Sequence, residues 1–315
     1  MSKQENKKQR LKFKRTDLAF YADTSGHSIQ NWLYRGIFEV LPSDQLYLST
    51  GPSDTRNVVR NLLSSRARAI IMIGDDACFE RFINLYREMN PNPSRTHYLG
   101  FVPLGQSHFA TRFGLSLSAA KLSRIESMRF TSCMLSFPEV HSQLALQLGV
   151  GRLLSSIRYV PTSLSRQLMH TPLARPLPGM YAMTCVNEAP EAYAMSQEGM
   201  ILHTLYQDQI LFNQRVMTMR IDPSRLSLPG LSETQNHFFE LRVRTLATSG
   251  QFIFPIRHQT ESYLCQRVKL EFAQPVTLHT CSNRQETSSV SVTLCGRTYS
   301  CLIPIGLSGA TTPLD

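Results

Sequence analysis

From Asp17 to about Phe113, short apolar runs alternate with stretches whose apolar residues recur at helical spacing. Leu18–Ala22 and Gln45–Ser49 (QLYLS) have strand length. Asp54 follows as the predicted N-cap of a helix carrying Val58, Val59, Leu62 and Leu63 on one side. Ala69–Ile73 (AIIMI) is continuously apolar and predicts a buried strand. Phe79, Phe82, Ile83 and Tyr86 keep helical spacing and predict a helix over Ala77–Met89. Tyr98–Pro103 (YLGFVP) predicts the next strand, and Gln106–Phe113 the opening of another helix. Strand–helix alternation of this length predicts a parallel α/β sheet.

The rhythm then changes. Leu117–Met128 (LSAAKLSRIESM) has a helical pattern, and Leu144–Ile157 carries helix-spaced leucines. Pro161, Pro172, Pro176 and Pro178 punctuate the next stretch of chain. Beyond Pro178 the texture is β: Met180–Cys185, Ile201–Tyr206, Gln214–Ile221, Phe238–Leu246, Gln251–Ile256, Arg267–Phe272, Val276–Cys281, Val290–Leu294 and Thr298–Ile303 are short runs bounded by turn residues. Many short strands predict a sandwich or barrel. The expected fold class is an α/β N-terminal domain, a parallel sheet with flanking helices, followed by a β-sandwich-like C-terminal domain. The expected boundaries are a basic disordered tail at 1–15, an α/β nucleotide-binding-like domain at 16–125 and a β-rich domain at 126–315.

Composition narrows the class. Hydrophobic residues make up 42% of the 315 and charged residues 18%, which excludes a disordered chain. No apolar run has the length of a membrane span, and no apolar segment follows the basic start as in a secretory signal. The seven cysteines form no C-x-x-C pair and have no histidine pair at zinc-finger spacing. The expectation is of reduced thiols, no metal site and a cytoplasmic location. Net charge is +10, and Lys3, Lys7, Lys8, Arg10, Lys12, Lys14 and Arg15 against Glu5 put +6 of it in the first fifteen residues. Such a cluster suits attachment to a lipid or other anionic membrane surface, with the protein peripheral at the membrane. Nucleic acid finds no zinc finger, KH loop or RNP motif in the body of the chain.

Two loops carry more specific information. Ile70–Phe79 (IIMIGDDACF) runs from strand into helix, and Leu99–Gly114 (LGFVPLGQSHFATRFG) covers the next strand and its loop. In this order and spacing they resemble the catalytic domain of the diacylglycerol kinase family, which includes bacterial lipid kinases and sphingosine kinases. That family carries G-G-D-G-T after one strand and P-L-G-T-x-N-D-F-A-R after the next. Asp23-Thr24-Ser25-Gly26 is similar to its N-P-x-S-G, and Ser49-Thr50-Gly51-Pro52 to its Thr-containing loop. Val268–Thr280 resembles the strand pair leading to its D-G-E loop. The better match covers about Leu18–Leu117.

The resemblance implies an α/β domain followed by a β-sandwich, with nucleotide between them and transfer of the ATP γ-phosphate to a lipid hydroxyl with Mg2+. It implies nucleotide-binding positions at Ser25, Gly26, Thr50, Gly74, Asp75, Asp76, Ala77, Gly105, Gln106 and Ser107. The departures from the pattern are as informative. The first loop reads Gly74-Asp75-Asp76-Ala77-Cys78, which adds a carboxylate at a glycine position and leaves Ala77 where a positive φ would be strained. In the second, Pro103-Leu104-Gly105 is intact but His108 stands alone for an Asn-Asp pair. The place of the D-G-E acid falls at Cys281-Ser282-Asn283, without a carboxylate; Glu286 lies a few residues on. The catalytic candidates are therefore Asp76, His108 and Glu286. His97 reads as a surface residue, and Cys281 with His279 as an unactivated pair. The expected function is a lipid-kinase-fold protein with degraded phosphate and base motifs, a weak or inactive kinase that binds lipid, nucleotide or a protein partner. The alternative is an active kinase of a diacylglycerol- or sphingoid-type hydroxyl using ATP and Mg2+.

Overall fold

The computed structural model describes residues 13–23, 41–90, 97–104, 107, 109–110, 125–137, 140–150, 181–187, 193–195, 201–204, 209–223, 238–246 and 258–304. Two compact units emerge: 1–131 with 297–315, and 132–296.

In the first unit, β1 (Leu18–Asp23) pairs on one side with β2 (Leu46–Ser49) and on the other with β3 (Ala69–Gly74). β3 pairs in turn with β4 (Tyr98–Pro103), and all these pairings are parallel. The end of the last strand returns to the sheet, with Ser300 and Cys301 parallel to Tyr98 and Leu99. Five parallel strands result. Helices α1 (Pro52–Ser64) and α2 (Asp76–Met89) connect β2 to β3 and β3 to β4. These bounds agree closely with the sequence pattern.

Alternation along the strands sorts the core onto two faces. Phe20, Ala22, Ala69, Ile71, Ile73 and Leu302 form one face, with Phe13, Leu46 and Tyr98 against them. The other face meets the helices: Phe101 stacks on Phe79 at 4.7 Å, and Tyr21 meets Phe82 at 5.2 Å between ring centroids. β3 is buried along its whole length, as its unbroken apolar run demands.

The remaining strands are β5 (Ile125–Phe137), β6 (Val140–Ala145), β7 (Leu148–Val150), β8 (Tyr181–Asn187), β9 (Tyr193–Met195), β10 (Ile201–Thr204), β11 (Gln209–Pro223), β12 (Phe239–Leu246), β13 (His258–Cys265), β14 (Arg267–Thr280) and β15 (Arg284–Pro304). β10, β9, β13, β12 and β11 pair in that order, antiparallel throughout. β7 and β8 occupy successive stretches of one lane between β11 and β14. The first part of β15 then forms a hairpin with β14. Leu241, Val243, Val268, Leu270, Val290 and Val292 are among the buried core residues of this unit. The fold is thus a parallel α/β sheet followed by an antiparallel, strand-rich region.

Two expected helices are corrected. Ile125–Met128, the end of the first, lies in β5. Leu144 lies in β6, and Leu148 opens β7. The leucines were ambiguous because an i, i+4 spacing belongs to both the helical and the two-residue period. Leu144 and Leu148 are buried in successive strands, and the chain bends between them at Leu146. Residues 117–124 and 151–157 of those segments, and the expected strand at 251–256, lie outside the described residues. The sequence splits Arg267–Phe272 from Val276–Cys281, but β14 runs through both with a register irregularity between Glu271 and Val276. β15 likewise joins two expected runs into one.

Candidate functional site

Parallel sheets place ligand sites outside the carboxyl ends of their strands, where neighbouring connections leave in opposite directions. Here that point lies between β1, whose connection leads to β2, and β3, whose connection leads to β4. Asp23 and the turn Gly74–Cys78 stand there.

Asp75 is the N-cap of α2. Its Oδ1 accepts the N–H of Cys78 at 2.8 Å, so the carboxylate satisfies a helix-start donor. Ala77 lies within the first turn of the helix, so the strain expected from a missing glycine does not arise. Gly74 is required by packing. A Cβ there would lie 2.9 Å from Cys78 Cβ, so only glycine lets β3 and α2 approach this closely. Its carbonyl accepts the N–H of Leu104 at 2.8 Å, joining this turn to the end of β4.

Asp76 is only 6% exposed. It accepts a short hydrogen bond from the Ser107 hydroxyl and the N–H of Phe109 at 3.3 Å. Ser107 accepts the N–H of Ala110 at 2.8 Å, starting the helical residues 109–110. The structure therefore brings Gly74, Asp75, Asp76, Ala77 and Ser107 together, with Asp76 as the buried tie between two loops.

The loop after β2 closes in another way. Asp54 is not the N-cap of α1; Gly51 is, and Asp54 is the third helical residue. Pro52 at the first helical position fixes that frame. From there the Asp54 carboxylate reaches back. It accepts the Thr50 N–H at 3.0 Å, the Thr50 hydroxyl at 2.8 Å, the Gly51 N–H at 3.1 Å and the Ser49 hydroxyl at 3.0 Å. Those bonds, led by the Thr50 N–H, lower its pKa from 3.8 to about 2. Thr50, a predicted nucleotide contact, is thus engaged with Asp54.

Asp23 is 2% exposed and accepts Arg81 Nη2 at 3.0 Å and Nε at 3.3 Å. Arg81 Nη2 also lies 3.1 Å from Cys78 Sγ. Burial first, then the charge of Asp75, pushes the Cys78 thiol up to about 12, so it is inert as a nucleophile. Burial, reinforced by Asp23, likewise raises the Tyr21 phenol. Sequence reasoning missed the roles of Asp23, Arg81, Ser49 and Asp54. The loop T-G-P-S-D was a readable signal for Asp54, because proline favours the first helical position.

Ser25, Gly26, Gly105, Gln106 and His108 lie outside the described residues. Glu286 pairs across from Thr277 in the hairpin and is exposed, whereas its neighbours Val276 and Leu278 turn to the core. The intervening turn closes through Thr280 N–H to the Asn283 carbonyl at 2.9 Å and Asn283 N–H to the Thr280 hydroxyl at 3.0 Å. Burial, then Arg284, lowers the His279 pKa. His97 is corrected from surface to core: 5% exposed, its Nδ1 lies 3.2 Å from the Tyr86 hydroxyl.

Four aspartates, Asp23, Asp54, Asp75 and Asp76, therefore line the described carboxyl edge. Of these, Asp23 is neutralised by Arg81, and the other three carboxylates accept hydrogen bonds from the loops around them. Among the described residues no group of three or more His, Cys, Asp or Glu is arranged to hold a metal ion. No helix among them is long and apolar enough to cross a membrane.

No protein-family model matches the chain, and no curated protein matches it significantly. Solved structures do. Two proteins of Bacillus anthracis str. Sterne, each provisionally named a diacylglycerol kinase, superpose with a TM-score of 0.50. One is 11% identical, with 90% of this chain and 97% of that one covered; the other is 10% identical, with 91% and 97% covered. The likeness is one of fold across nearly the whole length: this chain has the fold of the diacylglycerol kinase-like lipid kinases.

Proposed function

We propose that the chain is a lipid-kinase-fold protein that has lost phosphoryl transfer and acts by binding, with a lipid surface as its ligand. One observation carries this reading: α2 begins on its own capping carboxylate, with Asp75 accepting the Cys78 N–H. In a lipid kinase of this fold, that strand-to-helix turn is where phosphate would lie. Two like charges about 4 Å apart repel by about 4 kcal/mol at an effective dielectric near 20. The neighbouring loops support it. Thr50 is engaged with Asp54, and Ser107 with Asp76. Residues 281–283, where the resemblance puts the base, carry no carboxylate.

An active kinase would need the buried Asp76, already held by Ser107 and Phe109, to reach magnesium or a substrate hydroxyl with its remaining lone pairs. Without a positioned base and charge stabilisation, little is left for transfer to a hydroxyl. The test is transfer of γ-labelled phosphate from MgATP to mixed vesicles containing diacylglycerol. No labelled lipid above a protein-free control is expected. Saturable labelling that Asp76→Asn abolishes would overturn the reading in favour of an active kinase.

A further inference from the structure

The second half of α1, the end of α2 and the start of β4 enclose a cleft of about 490 Å³. That volume lies within the range of small-molecule sites. The cleft shares no lining residue with the turns that carry the four aspartates. Arg56, Arg60 and Leu63 stand at i, i+4 and i+7 on α1, so one helix face supplies one wall. Glu88 and Met89 of the last turn of α2 supply the other. The buried His97 completes the lining, fixed by Tyr86, whose hydroxyl accepts the His97 N–H at 3.3 Å and lies 3.2 Å from its Nδ1.

Two guanidiniums one turn apart on a helix repel each other. Glu88 answers one of them: its Oε1 and Oε2 lie 2.8 and 3.0 Å from Arg56 Nη2. The Arg60 guanidinium is held by a neutral group instead, with Nη1 donating to Asn57 Oδ1 at 3.1 Å. The fixed charges of the lining are thus two guanidiniums against one carboxylate, which leaves one positive charge in a concave site. An arginine fork matches a carboxylate with two parallel N–H···O bonds. A monoanion would neutralise the cleft, whereas a phosphate dianion would bring a second negative charge up against Glu88. Leu63 and Met89, both partly buried, offer surface to an apolar body.

We propose that this cleft binds a small organic carboxylate, with the carboxylate on Arg60 and the apolar body against Leu63 and Met89. The test is an NMR titration of the full chain with benzoate, run beside its neutral counterpart benzamide and beside phenyl phosphate. Benzoate should shift the backbone signals of residues 56–64 and 88–90 saturably, and benzamide should not. Arg60→Gln removes the charged fork and should weaken benzoate binding by about tenfold or more. Arg60→Lys keeps the charge without the fork and should retain part of the affinity. Glu88→Gln removes the competing carboxylate and releases Arg56, so benzoate should bind roughly two- to fivefold more tightly. Arg284→Gln removes an exposed cation from the other unit and should leave binding unchanged. No saturable shift with benzoate, an equal response to benzamide, undiminished binding by Arg60→Gln, weaker binding by Glu88→Gln, or a matching loss in Arg284→Gln would overturn the proposal. Tighter binding of phenyl phosphate at the same residues would overturn the choice of a carboxylate.

Discussion

The two helix starts at the carboxyl edge meet the same requirement in opposite ways. Each must satisfy donors near its first turn. α2 uses the residue before it, with Asp75 reaching forward to the Cys78 N–H. α1 uses a residue inside it, with Asp54 reaching back to Thr50 and Gly51. The Asp54 closure is local and solvent-exposed. The turn before α2 continues inward by two routes, Asp76 to Ser107 and, through Cys78, Arg81 to the buried Asp23. A change at the first should alter one loop, whereas a change at the second should loosen the unit.

The comparison can be broken first at Arg81. Arg81→Met removes the ion pair of the buried Asp23 carboxylate, and a loss of about 3 kcal/mol in denaturant-unfolding stability is expected. A loss no larger than that of an exposed substitution would show that Asp23 does not depend on the pair. Asp76→Ala removes the acceptor for the Ser107 hydroxyl and the Phe109 N–H, and about 2–3 kcal/mol should go with it. Asp76→Asn keeps an acceptor oxygen and should cost less. Gly74→Ala should cost roughly 1–3 kcal/mol by overpacking. Because the clash is with Cys78 Cβ, Cys78→Ala should not relieve it; full rescue would place the conflict at sulfur instead.

The smallest effect belongs to Asp54 and is read by pH. Its folded pKa of about 2 lies below its ordinary 3.8. The stability it contributes is therefore fully present above about pH 4 and is lost as pH falls through about 2. The melting temperatures of the parent and Asp54→Asn should differ by a constant amount near neutrality and converge between pH 4 and pH 2. A difference that persists at pH 2 would mean that the loop is closed by something other than the carboxylate.

Much of the parallel sheet was legible because its signal is local. Ala69–Ile73 is an unbroken apolar run, and the aromatic spacing of Phe79–Tyr86 admits one period. Leu144 and Leu148 were not decidable, since their spacing suits both periods. His97 misled because a polar residue at a strand start is usually exposed, whereas its ring is buried beside the Tyr86 hydroxyl of the preceding helix. At the site, the loops and their aspartates were readable, but their partners were not. Asp23 and Arg81 are 58 residues apart, and nothing in their local sequence pairs them. Asp75 read as an intruding charge; the structure gives it the further task of capping a helix.

The most direct measurement is thermal unfolding of the purified chain with and without millimolar MgATP. A ligand held by the native state at a hundred times its Kd adds about 2.7 kcal/mol of stability. With the phosphate turn capped by Asp75, no upward shift of Tm is expected. A clear, saturable rise would contradict the claim that the Asp75-capped turn keeps nucleotide out.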